Sequence, residues 1–204
     1  MNIAVFASGR GSNFKAIFSK IKSGEIEADI ACLITNNTQA PALDFAKENK
    51  IDTYTIDFNN NIYVNQLLKI LKQYKIQLIV LAGFLKLISE KIVQKYPNKI
   101  INIHPSLLPS FGGRGCYGVN VHKKVFKSGV KFTGATVHFV NQNYDEGQII
   151  AQEIVPISSG DSVEDIAAKV LKVEHKLLPD IVNYICRNQL YWKDNKPWIK
   201  FFKE

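Results

Sequence analysis

The stretch N-I-A-V-F-A-S-G-R-G-S-N, residues 2–13, passes from a short apolar run into a turn rich in glycine and serine. A short apolar run bounded by such a turn is typical of a buried strand that leads into a helix. Similar apolar runs alternate with amphipathic stretches as far as residue 103. The alternation predicts an α/β fold with a mostly parallel central sheet flanked by helices. The predicted strands are residues 2–7, 30–35, 53–56, 78–82 and 100–103, and the predicted helices are residues 13–22, 41–49, 64–74 and 89–95.

After residue 105 the pattern changes, because a loop rich in proline and glycine extends to residue 118. A short helix is predicted over residues 119–126, and two extended stretches, residues 131–140 and 148–155, then follow with no helical stretch between them. They predict an antiparallel strand pair at the C-terminal edge of the sheet. A long helix over residues 162–188 is predicted to be capped by Asp161 or Ser162. Its predicted sheet-facing residues are Ile166, Val170, Val173, Leu177 and Ile181.

Length and composition favour a single domain over residues 1–204, since 46% hydrophobic residues suffice to build one core in a chain of 204 residues. The cysteines Cys32, Cys116 and Cys186 are scattered and lack metal-ligand spacing, so they indicate free thiols in a reducing compartment. No apolar stretch reaches the length of a membrane span, and the first apolar run is too short for a signal peptide. We therefore expect a soluble, cytoplasmic protein without a membrane partner.

The net charge of +8 is compatible with nucleic acid, an anionic small molecule or a solvated surface. No nucleic-acid-binding motif accompanies the charge, and anionic substrates explain it more economically. A late cluster of lysines near two tryptophans is interpreted as a solvated basic tail, and it comprises Lys193, Lys196, Lys200 and Lys203.

The turn at residues 8–13 has the composition of a phosphate-binding loop. Small residues let the backbone approach a ligand closely, and the N–H groups at a helix N-terminus attract anions. A dinucleotide fingerprint is not present, because Phe14 stands at its third glycine position and Asn36 and Asn37 replace the acidic residue expected after the second strand. The loop by itself is equally consistent with a tight turn in which Ser12 caps the helix.

The segment I-N-I-H-P-S-L-L-P, residues 101–109, ends the fifth predicted strand. Asn102 and His104 are two residues apart on an extended chain, so their side chains project to the same side of the sheet. An amide donor beside an imidazole suits acyl transfer, which needs a donor for an oxyanion and a group that moves a proton. A purely structural role for His104 stays open at this point. A serine-hydrolase triad is not indicated, because the sequence lacks a G-x-S-x-G segment.

The string N-I-H-P-S-L-L-P, residues 102–109, resembles the signature of formyltransferases that use 10-formyltetrahydrofolate. Resemblance to the phosphoribosylglycinamide formyltransferase family then extends along nearly the whole chain. The matching segments are M-N-I-A-V-F-A-S-G-R-G-S-N at residues 1–13, V-L-A-G-F at 80–84, G-A-T-V-H-F-V at 134–140, D-E-G at 145–147 and E-H-K-L-L-P at 174–179. The resemblance implies a Rossmann-like formyltransferase fold, with a phosphate-binding half over residues 1–100 and a folate-binding and catalytic half over residues 101–204.

The same resemblance implies the reaction and its residues. The formyl group of 10-formyltetrahydrofolate, a cosubstrate used without a metal, would pass to the amine of 5-phosphoribosylglycinamide. The implied catalytic residues are Asn102, His104 and Asp145. The implied substrate-binding residues are Gly11, Ser12, Asn13 and Glu174, and the implied folate-binding residues are Leu85, Lys86, Leu87, Ile88, Asn102, Asn141 and Asp145. His138 matches a family histidine, to which a supporting or structural role is assigned.

Two positions depart from the family pattern. Asn59, Asn60 and Asn61 stand where relatives often carry an arginine that can bind the glutamate tail of folate, and an amide lacks the bidentate grip of a guanidinium. Leu171 stands where relatives often place a polar residue that reaches the phosphate.

A formyltransferase acting on a different amine, such as a sugar amine, is the alternative interpretation. The expected partners are small-molecule substrates, with neither nucleic acid nor membrane, and the chain is expected to be a monomer or a weak homodimer.

Overall fold

The computed structural model describes residues 1–60 and 62–200. Two of the residues singled out in the sequence, Asn61 and Lys203, lie outside these ranges. The chain divides into two compact units, the first Met1–Asn102 and the second beginning at Ile103.

The first unit alternates strands and helices. Its strands are β1 (Asn2–Phe6), β2 (Asp29–Thr35), β3 (Asp52–Thr55), β4 (Leu78–Leu81) and β5 (Ile100–His104), the last of which continues into the second unit. Its helices are α1 (Ser12–Lys22), α2 (Ala42–Glu48), α3 (Tyr63–Gln73) and α4 (Glu90–Lys95). The strands pair in parallel in the order β3-β2-β1-β4-β5.

The central strands of the first unit are apolar throughout because helices cover both faces of a parallel sheet. Ile3, Ala4, Val5 and Phe6 of β1 are completely buried, and all four residues of β4 are buried as well. The parallel pairing places the ends of β1 and β4 side by side, with Phe6 opposite Leu81. The loops that leave these two strands are therefore neighbours.

The second unit contains α5 (Val119–Ser128), β6 (Phe132–Phe139), β7 (Ile149–Pro156), α6 (Val163–Cys186), β8 (Leu190–Lys193) and β9 (Lys196–Ile199). β6 and β7 pair antiparallel from Phe132 opposite Pro156 to His138 opposite Ile149. The predicted fold class, α/β with parallel strands and an antiparallel pair in the C-terminal half, is confirmed. Within the described residues, no helix is long and apolar enough to cross a membrane.

Three local predictions need correction or refinement. Gly11, not Ser12, is the N-cap of α1, and its φ of 68° lies in the left-handed region that glycine adopts without strain. The cap of α6 is Ser162, and Val173 on that helix is only half-buried.

The supposed basic tail contains a hairpin, in which Lys193 pairs with Lys196 across β8 and β9. A tight turn through Asp194 and Asn195, both at positive φ, joins the strands, and these residue types tolerate that conformation.

The start of α6 allows a stability test. The Ser162 side chain accepts a hydrogen bond from the Asp165 N–H at 3.1 Å, and the Asp165 carboxylate accepts one from the Ser162 N–H at 3.0 Å. We expect Ser162→Ala to lower the free energy of unfolding by about 0.5–2 kcal/mol, because a helix N–H group loses its acceptor. Urea denaturation measures the change, with Ser159→Ala at a nearby exposed position as the control. Equal stability of the two variants would contradict the capping role.

Candidate active site

The glycine-rich turn of the first unit packs against the start of α2. Gly11 packs so closely on α2 that a Cβ atom there would lie 2.7 Å from the Ala42 Cβ. No side chain caps α1, and its first turn contains no acidic residue. An uncapped and uncharged helix start presents N–H groups and a positive dipole, which is the arrangement that binds anions.

The turn is joined to the loop after β4, the segment expected to hold the folate. The Ser8 N–H donates to the Gly83 carbonyl at 3.1 Å, and the Ser8 hydroxyl accepts from the Leu85 N–H at 2.9 Å. The side chains of Leu85 and Leu87 are exposed, whereas Ile88 is buried. Exposed leucines held beside a polar main chain suit a flat, partly apolar ligand.

Lys86 lies near Asn59, in the segment where relatives often carry an arginine. Its Nζ donates to the Asn59 Oδ1 at 3.0 Å, so a cation lies beside the segment in which relatives often carry arginine. As a flexible point charge, this lysine can attract a carboxylate but cannot form a bidentate pair.

In the second unit, His104 and Asp145 lie together. The His104 Nδ1 is 3.4 Å from the Asp145 Oδ1, and the two side chains are only 4% and 11% exposed. The same Asp145 oxygen lies 3.7 Å from the Nε2 of His138 on β6. Two imidazoles therefore converge on one carboxylate oxygen.

Hydrogen bonds to main-chain carbonyls fix one proton on each of these imidazoles. The His104 Nε2 lies 3.0 Å from the Phe111 carbonyl oxygen, and the His138 Nδ1 lies 2.8 Å from the Phe139 carbonyl oxygen. A carbonyl only accepts, so each of these nitrogens is the donor. The other two nitrogens face Asp145, and a further proton between them and the carboxylate makes the contact attractive.

The pKa of Asp145 reflects these contacts. Burial by itself raises the pKa of a carboxyl group, because it disfavours the charged form. Here the hydrogen bond and charge of His104, the Gly113 N–H at 2.9 Å and the nearby His138 outweigh burial, and the pKa of Asp145 lies below its ordinary range. Asp145 is therefore a carboxylate at neutral pH.

Two further histidines also have lowered pKa values, which favours their neutral forms. Burial lowers the pKa of His138, an effect reinforced by His104 and only partly opposed by the Phe139 carbonyl and Asp145. Burial, followed by the charge of His104, also lowers the pKa of His122 on α5. The His122 Nδ1 is buried and has no hydrogen-bond partner among the described residues. Of the two imidazoles that contact Asp145, His104 makes the shorter contact, 3.4 Å against 3.7 Å.

The backbone around Asp145 is shaped by glycine and by positive φ angles. Asp145 itself has a φ of 57°, a conformation that aspartate tolerates better than most residues. A Cβ at Gly147 would lie 1.7 Å from the Phe139 carbonyl oxygen, and one at Gly112 would lie 3.2 Å from the Asp145 Cβ. The aspartate therefore stands in a turn that closes only with glycine at residue 147.

The remaining predicted residues are distributed over both units. Asn102 is half-buried on the part of β5 that belongs to the first unit. Asn141 accepts a hydrogen bond from the Asn143 N–H at 2.9 Å and so shapes the start of the turn that contains Asp145. Within the described ranges, Glu174 on α6 is the only Asp, Glu, Lys or Arg side chain that is buried. A buried carboxylate is stable only where compensating groups surround it.

Sequence reasoning missed the main-chain partners of the pair. Neither the Phe111 carbonyl nor the Gly113 N–H was assigned a role, because the identity of a residue does not reveal what its main-chain groups bind. The adjacent glycines at residues 112 and 113 were the available signal, since such a pair indicates an unusual or closely packed backbone.

Comparison with known proteins places the chain in a family. A family model described as formyl transferase matches residues 1–182. The chain therefore belongs to the formyl transferase family.

Individual relatives show which kind of formyl transferase the chain is similar to. The phosphoribosylglycinamide formyltransferase of Haemophilus influenzae is 36% identical over 201 residues, which cover 97% of this chain and 92% of the relative. The chloroplastic enzyme of the same name from Arabidopsis thaliana is 39% identical over 198 residues, or 95% of this chain and 68% of that one. The crystal structure of phosphoribosylglycinamide formyltransferase from Anaplasma phagocytophilum superposes with a TM-score of 0.90 at 34% identity, covering 100% of this chain and 95% of that chain. The resemblance found in the sequence is confirmed.

The lowered pKa of Asp145 predicts a pH-dependent stability. Because the folded pKa lies below the unfolded value of about 3.9, ionised Asp145 stabilises the fold above that pH, and this stability is lost as the pH falls through the lower folded pKa. We expect the stability of the wild type relative to Asp145→Asn to decrease as the pH is lowered from about 5 to about 2.

Urea denaturation at a series of pH values measures this difference. Asp194→Asn is the matched control, since Asp194 is also an aspartate at positive φ but is exposed on the hairpin turn. A stability difference between wild type and Asp145→Asn that does not change with pH would contradict the assigned pKa.

Proposed function

We propose that this protein transfers the formyl group of 10-formyltetrahydrofolate to the amine of 5-phosphoribosylglycinamide, a step of purine biosynthesis. The observation that carries the proposal is the contact of the His104 Nδ1 with the Asp145 Oδ1 at 3.4 Å, in a chain of the formyl transferase family. A buried imidazole with a carboxylate partner is suited to stabilise an oxyanion and to move a proton.

In the proposed reaction the substrate amine attacks the formyl carbon. A nitrogen–carbon bond forms, and the electron pair of the carbonyl moves to the formyl oxygen. Asn102 and protonated His104 donate hydrogen bonds to that oxyanion. The bond to folate N10 then breaks as the carbonyl reforms, the amine nitrogen loses a proton and N10 gains one, so no net proton is released.

His104 and Asp145 have complementary roles in this scheme. The Nε2–H of His104, which donates to the Phe111 carbonyl at 3.0 Å, is the proton for which the substrate oxyanion competes. Asp145 orients the His104 imidazole through its contact with the Nδ1 at 3.4 Å. His138 supports the position of the same Asp145 oxygen from the other side.

The binding roles follow the same proposal. Gly11, Ser12 and Asn13 would bind the substrate phosphate at the start of α1, and Glu174 would pair with its amine. The loop of Leu85, Lys86, Leu87 and Ile88, together with Asn102, Asn141 and Asp145, would hold the folate. The anion-attracting helix start, the exposed leucines and the buried carboxylate support these roles.

We also propose that the two units act as one formyltransferase domain, since the family match at residues 1–182 extends across the boundary at Asn102. The scattered positions of Cys32, Cys116 and Cys186 in the sequence support a reducing, cytoplasmic location. A monomer or weak homodimer, acting on small molecules rather than nucleic acid, remains our proposal for its assembly and partners.

One assay tests the activity directly. We expect the purified protein to convert glycinamide ribonucleotide and 10-formyltetrahydrofolate into formylated product and tetrahydrofolate, without added ATP or metal. The absorbance change on loss of the formyl group follows the reaction. Folded protein without turnover would overturn the proposal, whereas turnover only with a sugar amine would favour the alternative acceptor. Formate release without any amine would indicate hydrolysis instead of transfer.

A second measurement tests the role of Asp145. We expect Asp145→Asn to lower kcat by about 10²- to 10⁴-fold, because His104 loses its charge partner, while the affinity for glycinamide ribonucleotide changes little. Stopped-flow or initial-rate kinetics give kcat, and calorimetric titration gives the affinity. Asp194→Asn serves as the control and should retain full activity. Equal losses of kcat and affinity would show that Asp145 is structural.

A further inference from the structure

The loop after His104 is tied to the sheet by one buried hydroxyl group. Thr136 lies on β6, two residues before His138, and is completely buried. Its Oγ1 donates to the Ser106 carbonyl at 2.6 Å and accepts from the Leu108 N–H at 3.0 Å. One side chain thus holds the main chain of two loop residues.

Gln152 completes this attachment from the neighbouring strand. It stands directly opposite Thr136 in the β6–β7 pairing. Its Nε2 donates to the Thr136 Oγ1 at 3.0 Å and to the Leu108 carbonyl at 2.9 Å. The hydroxyl of Thr136 now has its one donor and both acceptor positions occupied, which fixes its orientation.

The loop that these side chains hold carries the main-chain partners of the catalytic pair. Ser106 continues the attachment, because its hydroxyl donates to the Ser110 carbonyl at 2.7 Å. The next residue, Phe111, supplies the carbonyl that accepts from the His104 Nε2, and Gly113 supplies the N–H that donates to the Asp145 Oδ2. A shift of this loop would therefore displace a partner of His104 and a partner of Asp145 together.

Close packing around Gly112 also links the loop to Asp145. A Cβ at Gly112 would lie 2.6 Å from the Leu108 Cδ2 and 3.2 Å from the Asp145 Cβ. The glycine backbone is therefore enclosed between the residue that Thr136 anchors and the catalytic carboxylate. Close-packed contacts of this kind pass small displacements on to neighbouring groups.

We propose that Thr136 is a positioning residue for formyl transfer, which acts through the 106–113 loop on His104 and Asp145, with Gln152 as its support. The inference rests on the proposed function. Neither side chain contacts the reacting atoms in this scheme, so their effect is on the geometry of the pair.

The principal test is Thr136→Val, which replaces the hydroxyl by a methyl group of similar size. We expect kcat to fall on the order of 10- to 100-fold while the KM for glycinamide ribonucleotide stays within about twofold, because small misplacement of catalytic groups slows chemistry more than it weakens binding. Thr136→Ser keeps the hydroxyl and should recover most of the lost rate. The imidazole N–H signal of His104 in the ¹H–¹⁵N spectrum should shift in the valine variant and return in the serine variant.

The matched control is Thr133→Val on the same strand. Thr133 is also buried, but its hydroxyl has no hydrogen-bond partner among the described residues. This variant should keep the wild-type kcat. If it loses as much activity as Thr136→Val, a general disturbance of β6 explains both and the proposal is overturned.

Gln152→Leu provides a second variant that does not disturb the core, since Gln152 is exposed. It removes two hydrogen bonds from the attachment and should lower kcat less than Thr136→Val does, again with little change in KM. Gln73→Leu, at an exposed position on α3, is its control. Gln152→Leu also tests the positioning role if Thr136→Val fails to fold.

The outcomes separate the inference from the proposed function. Wild-type protein without formyl transfer would overturn the function itself. Active wild type, with Thr136→Val and Gln152→Leu at the rates of their controls, would overturn the positioning role and leave the function standing. A loss of kcat/KM that comes entirely from a rise in KM, in either variant, would also overturn the positioning role.

Discussion

A carboxylate withdrawn from water is stable only where cations and hydrogen-bond donors surround it, and the second unit is organised around meeting that need for Asp145. His104 places its Nδ1 3.4 Å from Oδ1, Gly113 donates its N–H to Oδ2, and His138 approaches Oδ1 from β6. Each of these partners is itself held by the main chain. The charge of one residue therefore constrains a strand end, a glycine-rich loop and a turn at the same time.

Main-chain groups are well suited to this arrangement because they do not titrate. The Phe111 and Phe139 carbonyls keep their acceptor character at every pH, so each fixes a proton on the imidazole nitrogen that it contacts. Changes of protonation are then confined to the opposite nitrogens and to Asp145. Burial lowers the pKa values of His138 and His122, which favours their neutral forms.

Much of the fold follows from periodicity in the sequence, and the site follows only in part. Apolar runs such as residues 2–6 and 78–81 predict strands because burial on both faces of a parallel sheet demands continuous apolar sequence. The β8–β9 hairpin escaped prediction, since its strands are only four residues long and their lysines and tryptophans do not form a regular alternation of polar and apolar residues. Asn102 and His104 were predicted as site residues from their spacing on one strand. The Asp145 contact depends on a turn some forty residues later, and local patterns carry no information about such distant proximity.

Both tryptophans of the chain, Trp192 and Trp198, lie on the β8–β9 hairpin, and Trp192 stacks on Phe139 at a centroid distance of 5.5 Å. Intrinsic tryptophan fluorescence therefore originates entirely in the second unit. It reports on the strand whose Phe139 carbonyl holds His138, and it gives no signal from the first unit, which contains the glycine-rich turn at residues 8–13. Circular dichroism, which averages over all helices and strands, samples both. Coincidence of the two signals during unfolding is thus a direct measure of whether the halves of the chain lose their structure as one cooperative body.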